Sequence, residues 1–145
     1  MVQKSQTRKQ KPFPLNTIEF TKICTSRLRI SSEEAMNVAE RLYQKGYVSY
    51  PRTETNRYNK TINLHALVKK MEGSGELGHY ARSLLDENLF MRPRAGKKDD
   101  EAHPPIHPTK AASREELGGT DWRVYEIISR HFLATCSKDA LGLKT

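Results

Sequence analysis

Residues 30–46 read "ISSEEAMNVAERLYQKG", and this stretch carries both ends of a helix together with the face that the helix buries. Ser31 and Glu34 have the spacing of a capping box, in which each side chain accepts a hydrogen bond from the other residue's backbone N–H. Apolar residues then recur at i, i+3, i+4 and i+7, as Ala35, Val38, Ala39 and Leu42. Gly46 is the residue type that most readily follows the end of a helix. The stretch predicts an amphipathic helix that stops at Gly46.

The preceding residues, "PFPLNTIEFTKICTSRL" (12–28), predict another helix. Asn16 can cap it, Glu19 three residues later completes a capping box, and the expected apolar positions are Ile18, Ile23 and Leu28. The β-like run "YVSY" (47–50) follows the second helix directly. Helix, tight turn, helix and strand in this order are typical of a winged helix-turn-helix module, and such modules often bind nucleic acid.

The rest of the chain predicts three more helices. Two of them, "KTINLHALVKKMEG" (60–73) and "HYARSLLDENLF" (79–90), are separated by the turn "GSGELG" (73–78). A loop rich in proline and charge follows, and "TDWRVYEIISRHFLATC" (120–136) then predicts a final helix. Its cap would be Thr120 or Asp121, and its apolar stripe would comprise Val124, Ile127, Ile128 and His131. The expected fold is mainly α: a winged helix-turn-helix-like module with a short β segment that carries Tyr50, plus additional helices. This domain is expected to occupy residues 13–145, and a basic flexible tail over residues 1–12 is expected to precede it.

The charge of the chain favours a polyanionic partner. Lysine and arginine number 25 against 17 aspartates and glutamates, a net charge of +8. The tail is basic without any acid, which by itself is equally typical of a solubilising arm. A second cluster within the folded part sets five cations against Glu54 alone, and its members are Arg41, Lys45, Arg52, Arg57 and Lys60. This second cluster favours nucleic acid as the partner.

Composition also excludes several classes of protein. No apolar run approaches the roughly 18 residues that span a bilayer, and the basic N-terminus lacks the apolar core of a signal peptide. Cys24 and Cys136 are far apart, and neither has a second cysteine at CxxC spacing. We therefore expect a soluble, intracellular protein with two free, buried thiols, and a lone disulfide is the less favoured alternative.

The run "YVSYPRTETNRY" (47–58) combines tyrosines, arginines and a proline. Pro51 restricts the preceding Tyr50 to an extended conformation. In an extended segment residues i and i+2 point to the same side, so Tyr50 and Arg52 would project together with Cα atoms roughly 6.5 to 7 Å apart. A tyrosine hydroxyl is a nucleophile once deprotonated, and an arginine can bind phosphate oxygens and stabilise the charge of the transition state. Core or interface aromatics are the alternative interpretation of these tyrosines.

Two motifs resemble one enzyme family. The segment "GYVSYPRTETNRY" (46–58) closely resembles the active-site segment of type IA DNA topoisomerases, specifically of the eukaryotic topoisomerase III branch, and "DEAHPPIHPTK" (100–110) resembles the histidine-containing loop of that family. The lead-in "PFPLNT" and the closing "YEIISRHFLATCSKDA" are also similar to it. The resemblance extends from about Pro12 to the end of the chain.

The resemblance implies specific roles. Tyr50 would be the nucleophile that takes the 5′ phosphate of a cut single strand, Arg52 would hold that phosphate, and His103 would bind phosphate or handle a proton. Apart from the resemblance, the candidate DNA-binding residues are cations, four of them in the second basic cluster: Arg41, Lys45, Arg57, Lys60 and Lys110. His107 receives no role from the family, and a structural role is expected for it. The partners would be single-stranded DNA or RNA and the rest of the parent chain, in the nucleus.

A metal site within this chain is not expected. The segment "DDEAHPPIH" (99–107) holds suitable ligand types, but its two prolines prevent the helix on which an HxxxH spacing is useful. The resemblance implies that Mg²⁺ of the parent enzyme is held by an acidic toprim domain, and we find no such segment in these 145 residues. We therefore expect the isolated chain to be inactive. A noncatalytic winged-helix module that binds nucleic acid is the main alternative, and a metal-dependent hydrolase is a more distant one.

Overall fold

The computed structural model describes residues 12–58, 62–73, 76–86, 90, 93, 96 and 104–136. The described chain is mainly helical, as expected. Its helices are α1 (Thr17–Arg27), α2 (Ser32–Gln44), α3 (Leu64–Lys70) with a 3₁₀ turn (Met71–Gly73), α4 (Glu76–Asp86), α5 (Arg114–Leu117) and α6 (Gly119–Thr135).

The first two helices begin where their capping residues predict. Asn16 Oδ1 accepts a hydrogen bond from the Glu19 N–H, and Ser31 Oγ accepts one from the Glu34 N–H, both at 3.0 Å. α2 ends at Gln44, and Gly46 has a φ of +87°, in the left-handed region that glycine adopts without strain. The two capped helices and the short turn between them are therefore confirmed.

The apolar face predicted for α1 was wrong. The residues of this helix that are fully buried are Phe20 and Cys24, one turn apart. Ile18 is 58% exposed, whereas Ile23 and Leu28 are only partly buried. The face of α1 is set by its packing against α2 and α6, which overrides the local apolar count.

The wing of the expected winged helix is not confirmed. Val48 makes a single antiparallel bridge to Pro108, and Leu15 makes another to Ile106. Over the residues described, neither bridge extends into a strand. Proline at 108 lacks an N–H group, which limits how far a ladder could continue from that bridge.

The turn predicted between α3 and α4 was too long. α4 begins at Glu76, so the last three residues of "GSGELG" are helical. A Cβ added to Gly78 would lie 2.3 Å from the backbone oxygen of Glu72. The glycine therefore allows α4 to pack closely against the 3₁₀ turn, and it is not a helix breaker here.

The final helix forms the centre of the core, and its start was predicted wrongly. Its N-cap is Gly118, in place of Thr120 or Asp121, because the short, unpredicted α5 ends in a glycine with positive φ and leads directly into α6. Tyr125 and Phe132 are fully buried, together with most of the predicted stripe. α6 packs against α1, α2, α4 and α5. His131 is the one predicted stripe residue that stays partly accessible.

Both cysteines are buried thiols that form no disulfide, as expected. Burial raises the pKa of the Cys24 thiol to about 11. Within the described part of the chain, no helix is both long enough and apolar enough to cross a bilayer.

Candidate functional site

Tyr50 and Arg52 both lie against one face of α2. The ring of Tyr50 meets the ring of Tyr43 edge-on, with centroids 5.2 Å apart and planes at 64°. Arg52 donates from Nε to Glu40 Oε2 at 2.5 Å. Glu40 and Tyr43 are three residues apart and therefore neighbours on the helix surface. α2 thus contacts both the tyrosine and the arginine through two neighbouring side chains, and their projection toward one phosphate stays a prediction.

The N-terminus of α1 fastens the loop that carries Arg52. The Thr17 hydroxyl donates to the Pro51 carbonyl at 2.6 Å and accepts from the Thr53 N–H at 2.8 Å. The Thr17 N–H also donates to the Thr53 carbonyl at 3.0 Å. Asn16, which caps α1, donates from Nδ2 to the Glu54 carbonyl at 3.3 Å. The backbone on both sides of Arg52 is therefore tied to a helix terminus.

The residues before Tyr50 are tied to the proline-rich loop. The Ser49 N–H donates to the His107 carbonyl at 2.9 Å, and the His107 N–H donates to Ser49 Oγ at 3.0 Å. Ser49 Oγ also donates to the Pro105 carbonyl at 3.2 Å. The Thr109 N–H donates to the Tyr47 carbonyl at 2.8 Å. The tertiary fold thus joins the tyrosine segment to the second sequence motif, although more than 50 residues separate them.

Two predicted site residues, His103 and Lys60, lie outside the described residues. The neighbouring His107 has a structural role, as the sequence favoured. Its ring is buried against Tyr58 and Phe132, with Nδ1 2.8 Å from the Pro105 carbonyl. Burial lowers the pKa of His107 below the ordinary histidine value.

The other two tyrosines of residues 47–58 are buried. Tyr47 donates from its hydroxyl to Glu116 Oε2 at 2.7 Å, and its ring packs edge-on against Tyr125. This hydrogen bond raises the pKa of Tyr47 and lowers the pKa of Glu116. Burial raises the pKa of Tyr58 well above its usual range. Tyr50 is partly exposed, so of the three it is the one most accessible to solvent.

The predicted DNA-binding cations have different surroundings. Arg41 forms a two-point ion pair with Asp121, with Nε 3.1 Å from Oδ2, and this pair joins α2 to α6. The hydrogen bond from Arg41 lowers the pKa of Asp121. The Lys110 ammonium lies 4.7 Å from the centroid of the Tyr47 ring. Lys45 and Arg57 are exposed. The roles of these residues in binding DNA stay predictions.

Sequence reasoning missed three residues that build this site: Thr17, Glu40 and Tyr43. Glu40 and Tyr43 lie outside the buried stripe of α2 at helical spacing, and this spacing was the signal that they share a surface. For Thr17 there was no local signal, because its partners Pro51 and Thr53 follow it by more than 30 residues.

The side chains described do not fit a metal ion. Within that part of the chain, no group of three or more histidine, cysteine, aspartate or glutamate side chains is arranged to hold one.

Comparison with known proteins identifies the family. A family model described as DNA topoisomerase matches residues 1–145. The chain is 47% identical over 146 residues to DNA topoisomerase 3 of Schizosaccharomyces pombe, covering 100% of this chain and 23% of that protein. It is 46% identical over 144 residues to DNA topoisomerase 3 of Caenorhabditis elegans, covering 99% of this chain and 19% of that protein.

A mammalian relative gives the same result. The chain is 47% identical over 137 residues to DNA topoisomerase 3-alpha of Homo sapiens, covering 94% of this chain and 13% of the human protein. The chain thus spans less than a quarter of the length of each of these three relatives. With the model match over its whole length and the identities to these relatives, the chain belongs to the type IA DNA topoisomerase family, in its topoisomerase III branch.

Proposed function

We propose that this chain is the nucleophile-bearing part of a DNA topoisomerase that cleaves and rejoins one DNA strand through a 5′-phosphotyrosyl intermediate at Tyr50. One observation carries the proposal. Among the three tyrosines of residues 47–58, Tyr50 is the one that is partly exposed, and it lies beside Arg52 on a shared face of α2. A partly exposed tyrosine near a permanently charged arginine suits nucleophilic attack on a phosphodiester.

The reaction conserves the number of phosphoester bonds. The deprotonated Tyr50 oxygen attacks the phosphorus, a tyrosine–phosphate bond forms, and the bond from phosphorus to the 3′ oxygen breaks. The leaving 3′ oxygen takes up a proton. Rejoining reverses these steps, so no ATP is consumed. Arg52 donates to the phosphate oxygens and stabilises the charge of the pentavalent transition state.

The proposal also assigns a role to His103, which directly precedes the anchored proline-rich loop. The loop is anchored at Pro105, whose carbonyl accepts from Ser49, the residue directly before Tyr50. His103 itself lies outside the described residues, and its role in the proposal comes from the family resemblance. Its role would be to bind the scissile phosphate or to handle a proton.

The remaining parts of the cycle belong to the parent protein. Relaxation or decatenation requires passage of another strand and, by family resemblance, Mg²⁺ held by the carboxylates of a toprim domain. The substrate is single-stranded DNA, with RNA as a second substrate, and the compartment is the nucleus. Because the chain alone would have no such leaving-group machinery, it is expected to be inactive in isolation.

Covalent capture tests the proposal. The parent protein is incubated with a single-stranded oligodeoxynucleotide labelled at its 3′ end and then denatured. Label should remain attached to the protein, and Tyr50→Phe should abolish the attachment while leaving DNA binding nearly intact. Tyr47→Phe serves as the matched control, since Tyr47 lies in the same segment but is buried, and it should still be captured. Attachment that survives Tyr50→Phe would contradict the proposal.

A noncatalytic nucleic-acid-binding module is the second candidate. The two capped helices joined by a short turn, together with the exposed Lys45 and Arg57, favour it. The two candidates differ at Tyr50, because simple binding makes no covalent product. Binding to the oligonucleotide without capture by the parent protein would favour the module.

A further inference from the structure

We propose that Glu40 is a positioning residue that holds Arg52 against α2 in the free protein and competes with the DNA phosphate for it. The inference rests on the proposed function, in which Arg52 binds the scissile phosphate. When the strand enters, its phosphate would displace the Glu40 carboxylate from Arg52. When the strand leaves, Arg52 would pair with Glu40 again.

The contact has the geometry of a stable but replaceable ion pair. Arg52 Nε lies 2.5 Å from Glu40 Oε2, and the two side chains are 57% and 35% exposed. An arginine side chain offers five N–H donors, and this hydrogen bond uses Nε. Ion pairs at such exposure change an equilibrium constant by only about 1.5- to 5-fold. A phosphate that accepts two N–H bonds can therefore replace the carboxylate.

The position of Glu40 gives the pair its role. Glu40 lies one helical turn from Tyr43, whose ring contacts Tyr50. Arg52 follows Pro51, and Thr17 fastens the backbone of the residues on both sides of it, whereas Glu40 holds its guanidinium. The carboxylate therefore keeps the guanidinium close to the tyrosine before DNA arrives. Its negative charge also opposes the approach of a phosphate to the same place.

The test is a measurement of affinity. We expect Glu40→Gln to lower the Kd for a single-stranded oligodeoxynucleotide about two- to fivefold, because the competing charge is gone while the side-chain size is kept. The measurement uses the parent protein with Tyr50→Phe in every variant, so that binding is read without cleavage. Circular dichroism establishes that each variant folds.

Glu33→Gln is the matched control. Glu33 is exposed on α2 and lies seven residues before Glu40, on a similar side of the helix and about 10.5 Å along its axis. The substitution removes the same charge from the same helix, but about one Debye length away from Glu40. It should therefore change the Kd less than about 1.5-fold.

A double-mutant cycle shows whether Glu40 acts through Arg52. In an Arg52→Ala background, Glu40→Gln should have no more effect than Glu33→Gln. An equal gain in affinity with and without Arg52 would mean general repulsion and would overturn the inference, as would the absence of any gain. Covalent capture by proteins that keep Tyr50 is measured separately, so a failure of this inference is distinguishable from a failure of the proposed function.

Discussion

The Tyr50 ring rests edge-on against the Tyr43 ring at a centroid distance of 5.2 Å, while Tyr43 itself is 43% exposed. An edge-to-face pair of this kind restricts the orientation of both rings without burying them fully. Tyr43 thereby orients Tyr50 from α2, and loss of its ring should affect the chemistry of the site more than the stability of the fold.

Tyr43→Ala should slow covalent capture of DNA by the parent protein about three- to tenfold. This factor follows if the free energy of one aromatic pair is added to the activation free energy of capture. Tyr43→Phe keeps the ring and should retain nearly the full rate. Single-turnover capture of a labelled oligonucleotide measures both. Equal rates for the alanine and phenylalanine variants would show that the ring does not orient Tyr50.

Thr17→Val should destabilise the fold by about 1 to 3 kcal/mol, because it removes the two hydroxyl hydrogen bonds that fasten the backbone on either side of Arg52. Thr17→Ser retains the hydroxyl and should lose much less. Urea denaturation followed by circular dichroism gives the free energy of unfolding. A valine variant as stable as the serine variant would contradict the anchoring role.

Arg29→Gly should raise the free energy of unfolding by about 0.5 to 1 kcal/mol. Arg29 has a φ of +59° in the turn between α1 and α2. The strain of this conformation in a residue with a side chain costs more free energy than the additional chain entropy that glycine loses on folding. Thermal unfolding should show a higher Tm for this variant. Arg27→Gly, within α1, is the control and should lower the Tm, because glycine is unfavourable inside a helix.

Stability should fall on acidification from about pH 6.5 downward. Burial lowers the pKa of His107 and of His131, so the unfolded chain binds protons that the folded chain does not. The contribution of each neutral histidine is complete above the unfolded pKa and is lost as the pH falls through the folded pKa. His107→Gln should flatten the slope of unfolding free energy against pH between 6.5 and the folded pKa, whatever it does to the absolute value. An unchanged slope in both His107→Gln and His131→Gln would refute this assignment.

Binding of single-stranded nucleic acid should be weak, strongly dependent on salt and nearly independent of sequence, because most contacts would be to phosphate. Replacing the exposed Lys45 and Arg57 by alanine should reduce the slope of log K against log salt by about one to two. Arg41→Ala should reduce it less, since Arg41 is paired with Asp121. Fluorescence anisotropy over a range of salt concentrations measures the slope. Affinity that stays constant from low to moderate salt would argue against phosphate contacts.

Local features of the sequence were enough to place the ends of the first two helices, although not the buried face of α1. The caps at Asn16 and Ser31 and the stop at Gly46 act within one helical turn, so the residues nearby contain the information that sets them. The start of α6, in contrast, was predicted wrongly. Thr120 and Asp121 are good capping residues, but Gly118 and Gly119 had already turned the chain into the helix, and Asp121 pairs with Arg41 from α2.

The sequence by itself determined the helical character of the chain, because helix caps and apolar spacing act between near neighbours, and its motifs were enough to indicate the family. Tertiary structure decided which of the tyrosines is accessible and what holds Arg52. Tyr47 and Tyr58 became buried through contacts with Tyr125 and Phe132, and Arg52 met Glu40 only after α2 and the loop had packed together. Burial and ion pairing depend on residues brought together from distant parts of the chain, and no local pattern of amino acids specifies those contacts.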